Sequence, residues 1–236
     1  MSSNSRIEWT QSTWNPVTGC TSISEGCQHC YARRMANRLK GMGVSRYSDG
    51  FQVATHRDLL TVPCHWKKPR LIFVNSMGDL FHEQVPFAFI KEVFRTIEST
   101  PRHTFQLLTK RADRMAKLAD KLPWPHNLWV GVTVELRQYM GRIEKLKQVP
   151  ATVRFVSFEP LLGPVESPQL DHIHWAIVGG ESGPHARKME ADWARSIRDA
   201  CVDSSVPFFF KQWGGTNRMK RRRSLDRKLW NQYPNR

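Results

Sequence analysis

Cys20, Cys27 and Cys30 fall within eleven residues, spaced C-x6-C-x2-C, and are three of the chain's five cysteines. Gly19 and Gly26 each precede one of them, so the segment reads as a loop free to fold around a bound group. Three thiolates on one short loop can hold three irons of a [4Fe–4S] cubane, because each iron takes one thiolate at its corner. The fourth iron is then open to a substrate or cofactor. The same residues leave a second chemistry open, a structural zinc site closed by four ligands. Cys27-Gln28-His29-Cys30 is tight for three ligands on one tetrahedral ion, but His56 or His65 could complete such a site. A disulfide pairing has little support, since nothing else marks the chain as secreted. Cys64 stands apart and reads as a lone buried thiol.

The elements that must position this loop follow a regular alternation. A first short strand is expected within residues 6–19, then the cysteine loop, then a helix over 31–40 stopped by Gly41 and Gly43. Residues 44–69 are polar and irregular. Short apolar runs at 70–75, 103–109, 127–133, 151–157, 172–178 and 206–211 suit strands buried on both faces. Between them, 86–100, 112–122, 137–148 and 190–203 carry helical stripes, such as Phe87, Ile90, Val93, Phe94 and Ile97. The connection after 151–157 has no helix signal. Six or seven such units imply a parallel sheet with crossovers, an α/β partial (β/α)6-type barrel with outer helices. No glycine-rich GxGxxG follows the first strand, so a dinucleotide fold has no support.

In such a barrel the residues after each strand face the site. They are polar here at every strand end: Asn75, Ser76 and Asp79; Thr109, Lys110 and Arg111; Thr133 and Glu135; Ser157 and Glu159; Gly179, Gly180, Glu181 and Ser182; Lys211, Gln212 and Trp213. A ring of polar ends, each after an apolar run, points to a site more than to solvated loop starts.

The 236 residues suffice for one sizeable core, and the formal net charge is +15. The reading is a single barrel domain over 1–215 and a basic C-terminal tail over 216–236. Residues 218–236 hold eight basic side chains, Arg221, Arg222 and Arg223 among them, against the single acid Asp226, a net +7. A second basic run, Arg33, Arg34, Arg38, Lys40 and Arg46, follows the cysteines. Basic patches attract phosphate backbones by counterion release, which favours a nucleic acid or nucleotide partner over a plain solvated surface. No apolar run reaches the ~20 residues of a membrane span and the N-terminus has no secretory signal, so a cytoplasmic protein is expected.

The motifs also resemble a known family. Glu8-Trp9-Thr10-x-x-Thr13-Trp14-Asn15-Pro16-x-Thr18-Gly19-Cys20, Cys27-x-x-Cys30-Tyr31-Ala32, Asn75-Ser76-Met77-x-Asp79-Leu80-Phe81-His82, Leu108-Thr109-Lys110-Arg111, Gly131-Val132-Thr133-Val134-Glu135, Ser157-Phe158-Glu159-Pro160 and Gly179-Gly180-Glu181-Ser182-Gly183 are similar to an uncharacterised family of phages and prophages classed with the radical S-adenosylmethionine (SAM) proteins. The usual radical-SAM spacing is C-x3-C-x2-C, and the first gap is longer here. The resemblance implies the same partial barrel and a [4Fe–4S] cluster on Cys20, Cys27 and Cys30. It implies SAM as cofactor, cleaved after one electron from an external reductant to a 5′-deoxyadenosyl radical that takes hydrogen from the substrate. By position it implies Ser76 and Asp79 at the SAM amino group and Thr133 or Glu135 at the ribose. His29, Gly179 and Gly180 would lie near adenine. Lys110, Arg111, Glu159, Glu181, Lys211 and Trp213 remain for the substrate. Of these, Lys110, Glu159, Glu181 and Lys211 are candidates for catalysis. The Lys110–Arg111 pair suits a phosphate, and Trp213 suits either a stacked base or a cap on the barrel. The function expected is a radical-SAM enzyme modifying or repairing a base or nucleotide. A protein or small-metabolite substrate and a zinc-stabilised nucleic-acid-binding protein without catalysis stand as alternatives.

Overall fold

The computed structural model describes residues 5, 7–216 and 223–235. The apolar runs form seven strands: β1 (Ser12–Trp14), β2 (Leu71–Val74), β3 (Thr104–Thr109), β4 (Leu128–Thr133), β5 (Val153–Phe158), β6 (Trp175–Gly179) and β7 (Phe208–Gln212). They lie side by side in chain order in one seven-stranded sheet, and each adjacent pair is parallel. A doubly wound sheet would reverse its strand order part-way across. The unbroken sequential order is that of a curled, partial barrel, as expected, with β1 as the seventh strand. Five helices cover it: α1 (Tyr31–Gly41), α2 (Phe87–Glu98), α3 (Ala112–Lys117), α4 (Gly141–Lys147) and α5 (Ala191–Asp203). No helix connects β5 to β6 among the described residues. No helix of the described residues is long and apolar enough to cross a membrane.

The period of two along each strand sorts its side chains onto two faces. Ile72, Val74, Phe105, Leu107, Val130, Val132, Val156, Phe158, Ala176, Val178, Phe208 and Phe210 join the helical stripes in one core. The alternate residues Leu71, Phe73, Trp129, Phe155, Trp175, Ile177 and Phe209 form a second cluster with Trp9 and Tyr233 inside the curl. Trp175 is its centre, with ring centroids 6.2 Å from Trp9, 6.0 Å from Trp129, 5.9 Å from Phe209 and 5.1 Å from Tyr233. Such pairs add about 0.5–1.5 kcal/mol each beyond area burial. This aromatic layer fills the interior towards the N-terminal strand ends.

Two expectations change. Cys64 is exposed, because it sits in a short 3-10 turn at Val62–His65 outside the sheet; it is Cys201, on the inner stripe of α5, that is fully buried. The basic C-terminal segment does not trail over its described part. Ser224–Leu225 pairs antiparallel with Lys228–Leu229, and the main chain then runs along β7, with Phe210 N–H donating to Trp230 O at 2.9 Å and Gln232 N–H to Phe208 O at 3.2 Å. Trp175 Nε1–H donates to Gln232 O at 2.8 Å. The segment covers the open edge of β7, which an otherwise unpaired strand requires. Arg223 is held over the Phe209 ring at 4.9 Å and donates to Asn231. Asp226, the tail's one acid, binds Arg195 and Arg198 of α5. Arg221 and Arg222 lie outside the described residues.

Candidate functional site

The inward-facing period carries past the strand ends. Leu108 leads to Lys110, Gly131 to Thr133 and Glu135, Phe155 to Ser157 and Glu159, Ile177 to Gly179 and Glu181, and Phe209 to Lys211. Across the register Thr133 stands opposite Ser157, and Ser157 opposite Ile177. The polar residues therefore share one rim above the aromatic layer, and the cysteine loop is tied to that rim from three strand ends.

The first tie comes from the β3 end. Asp79, 6% exposed, accepts from the Thr109 hydroxyl at 2.7 Å, Phe81 N–H at 3.0 Å, Lys110 N–H at 3.2 Å and Arg111 Nη1 at 3.3 Å. It thus holds the turn after β2 against the end of β3, and its oxygens are engaged by the protein itself. Ser76 donates to Asn15 Oδ1 at 3.1 Å, which also accepts from Met77 N–H. Arg111, read from sequence as a phosphate ligand, is buried, and its three nitrogens have partners within the protein. Nε donates to Glu83 at 3.0 Å, Nη1 to Cys20 Sγ at 3.2 Å and Nη2 to the Thr21 hydroxyl at 3.0 Å. Gln84 N–H donates to His82 Nδ1, so Nε2 carries the proton, and it donates to Thr21 Oγ1 at 2.9 Å.

The second tie joins β3 and β4. Glu135 is fully buried; Oε1 accepts from Lys110 Nζ at 2.5 Å and from the Ser24 hydroxyl, and Oε2 from Arg142 Nη1 at 2.7 Å. Gly26 is needed here: a Cβ on it would stand 2.5 Å from Glu135 Oε1 and 2.9 Å from Lys110 Nζ. Lys110, the other half of the expected phosphate pair, is part of this ion network. The third tie comes from the loop after β6. Glu181 accepts from Arg187 Nε and main-chain N–H, both at 2.9 Å, from Arg187 Nη2, and from His29 Nδ1 at 2.9 Å. Arg187 also donates to the main-chain oxygen of Glu25 at 3.0 Å. Since an ionised carboxylate only accepts, His29 carries its proton on Nδ1 and leaves Nε2 for the site.

Burial works against ionisation of Glu181, but Arg187 and His29 outweigh it and hold its pKa at about 2. A depressed carboxylate contributes stability that is full above its unfolded pKa and lost as pH falls through the folded one. Glu181→Gln is therefore expected to cost on the order of 2–3 kcal/mol at pH 7, with the gap from wild type closing between about pH 4.5 and 2. Chemical denaturation of both proteins along a pH series reads this; a gap that stays constant to pH 2 contradicts it.

The remaining candidates lie beside these ties. Lys211 Nζ is 2.5 Å from Glu159 Oε1, and a Cβ on Gly179 would touch Glu159 at 3.3 Å. The main chain of Trp213 crosses directly over Gly180, so that glycine accommodates the β7 connection. Trp213 packs on Phe210 at 4.9 Å and donates to Ser224 O at 3.0 Å. Sequence reasoning missed Arg142, Arg187, Ser24 and Glu83, whose spacing carried no chemical signal. Ser157, one of the polar strand ends read from the sequence, has its hydroxyl buried on the rim without a partner.

All five cysteines are free, and Cys20, Cys27 and Cys30 are half-buried. Burial and Asp79 push the Cys20 thiol up to about 11, against the pull of Arg111. Burial also opposes ionisation of Cys27, yet Lys110, the Ser24 hydroxyl and nearby main-chain groups bring it below the ordinary thiol value. Among the described residues no group of three or more His, Cys, Asp or Glu side chains is placed to hold a metal ion, and His56 lies 2.8 Å from Thr18 Oγ1. A cubane takes three separate thiolates, each meeting its own iron. Three soft sulfurs on one loop, two of them with hydrogen-bonding partners at Sγ, fit that donor set.

Solved structures of spore photoproduct lyase share the fold. A cysteine-to-serine mutant of spore photoproduct lyase superposes with TM-score 0.51 at 11% identity, over 84% of this chain and 62% of that one. A cysteine-to-alanine mutant with dinucleoside spore photoproduct superposes with TM-score 0.50 at 12% identity, over 78% of this chain and 58% of that one. The chain thus spans about three fifths of the length of these neighbours. No curated protein matches. The family described as "Protein of unknown function (DUF5131)" matches residues 4–234.

Proposed function

The chain belongs to the DUF5131 family, and from its site we propose that it is a radical-SAM enzyme acting on a nucleic-acid base or nucleotide. The observation that carries this reading is the attachment of a three-thiol loop to the C-terminal rim of a parallel partial barrel by Arg111, Glu135 and Glu181. Cys20, Cys27 and Cys30 would hold a [4Fe–4S] cluster, and Ser76, Thr133, His29 and Gly179–Gly180 would border SAM. When bound and reduced by an external one-electron donor, the pair supplies hydrogen abstraction from an unactivated C–H bond.

The chain's own work is placement and exclusion of water. Trp9, Trp129, Trp175 and Phe209 close the interior below the rim, so the site opens at one end. Lys211 and Glu159 stand at that opening as a donor and an acceptor, and the Ser157 hydroxyl adds a third polar group. Spore photoproduct lyase, bound to a dinucleoside lesion, makes dinucleosides the first substrates to try.

The test is anaerobic reconstitution with iron and sulfide, followed by reduction. A brown protein that releases methionine from SAM supports the proposal; a colourless protein holding one zinc overturns it. The nucleic-acid part has its own measurement. Arg218, Lys220, Arg221 and Arg222 precede the hairpin in sequence and lie outside the described residues. Replacing these four residues with glutamine is expected to lower the salt slope of duplex binding by up to ~0.9 per lost phosphate contact. An unchanged slope would remove them from any such interface.

A further inference from the structure

Among the described residues, Arg111 is the one guanidinium that reaches a cysteine sulfur. It is 5% exposed and donates in three directions: to Cys20 Sγ and Asp79 through Nη1, to Glu83 through Nε, and to both oxygens of Thr21 through Nη2. Its main-chain N–H donates to Thr109 Oγ1 at 2.9 Å, whose hydroxyl donates to Asp79. The head group is therefore fixed at both ends before anything binds. Nothing about the substrate calls for a cation here, since every donor is already engaged and the residue is closed off from solvent.

We propose that Arg111 is a positioning residue for the cluster: it pins the Cys20 arm of the loop to the end of β3 and donates an N–H···S hydrogen bond to one of the three ligating sulfurs. This rests on the cluster reading above. A planar guanidinium can serve sulfur, carboxylate and carbonyl together through separate nitrogens, whereas a lysine ammonium in the same place has a single nitrogen. The arrangement is asymmetric. Cys20 receives a charged donor, while the hydroxyl beside Cys27, Ser24 Oγ at 3.5 Å, gives its one proton to Glu135. Hydrogen bonds to cluster sulfurs and nearby positive charge both favour the more negative, reduced state, so they raise the reduction potential. Arg111 would thus make the cluster easier to reduce and hold its first ligand in register with the rim.

The experiment compares reconstituted wild type with Arg111→Gln and Arg111→Lys, reading iron content and the potential of the cluster by EPR-monitored titration. Full iron loading with a more negative potential is expected. In Arg111→Gln the reduced-to-oxidised ratio at a fixed potential should fall about tenfold, a shift of about 59 mV for one electron. Arg111→Lys, which keeps the charge and loses the geometry, should fall between. Loaded variants with the wild-type potential overturn the role of Arg111 and leave the cluster reading standing; a wild type that takes up no iron overturns both. Should a variant fail to fold, the wild type alone decides. With ¹⁵N-arginine incorporated, pulsed EPR of the reduced cluster should show a ¹⁵N coupling, and its absence overturns the proposal.

Discussion

Cys27→Ala is expected to abolish iron loading while leaving the fold intact. The loop offers three thiols, and neither remaining cysteine can replace a lost one: Cys64 lies in a separate turn and Cys201 is buried beneath α5. The surroundings of Cys27 also favour the thiolate, unlike those of Cys20. Burial opposes ionisation, but Lys110, the Ser24 hydroxyl and main-chain groups overcome it. Removing that sulfur leaves two, and a cubane held at two corners loses iron to chelators and oxygen. The side chain is only half-buried, so the melting curve should move by no more than about 1 kcal/mol. Iron and sulfide content, the visible absorption band and the melt together read the result, with Cys64→Ala as a control that should keep all its iron. Iron at the wild-type level in Cys27→Ala would mean that the loop is not the ligand set.

The strands and helices were legible because their burial is two-sided and periodic. Leu128–Thr133 is buried along its whole length, as its unbroken apolar run implies. Ile90, Val93, Phe94 and Ile97 are buried on the stripe that the sequence shows, with Phe87 half-buried at its start and Phe89 buried beside it. The rim was legible for the same reason: a period of two that places Phe155 inward also places Ser157 and Glu159 inward. Partnerships were not legible. Arg142 looks like an ordinary base on a short helix, and only folding brings its Nη1 to Glu135 Oε2. Arg111 and Lys110 are neighbours with the same charge, yet one turns to Cys20 and the other to Glu135. A pairing across 91 residues leaves no periodic trace. The C-terminal hairpin was hidden by its charge, since docking there depends on Trp230, Gln232 and Tyr233 scattered among basic residues.

Glu135→Gln is expected to be the most destabilising conservative change at the rim. The carboxylate is fully buried between Lys110 and Arg142, and the Ser24 hydroxyl is its third donor. The amide has the same shape but no charge, so two partly buried cations lose their counterion. Breaking a buried pair from one side costs about 3–5 kcal/mol, because the desolvated partner remains. The loss should also release the loop, since Ser24 and Gly26 rest directly on Glu135. These two effects can be separated. Replacing Lys110, Glu135 and Arg142 together with methionine removes all three charges and keeps apolar volume, so it should recover much of the stability. It should not recover the anchor for Ser24, and amide hydrogen exchange over the cysteine loop should stay faster than in wild type. If Glu135→Gln melts like wild type, the network is incidental to the fold. If the triple variant restores protection over the cysteine loop as well as stability, the loop is held by packing, and Glu135 is not what fastens the thiols to the barrel.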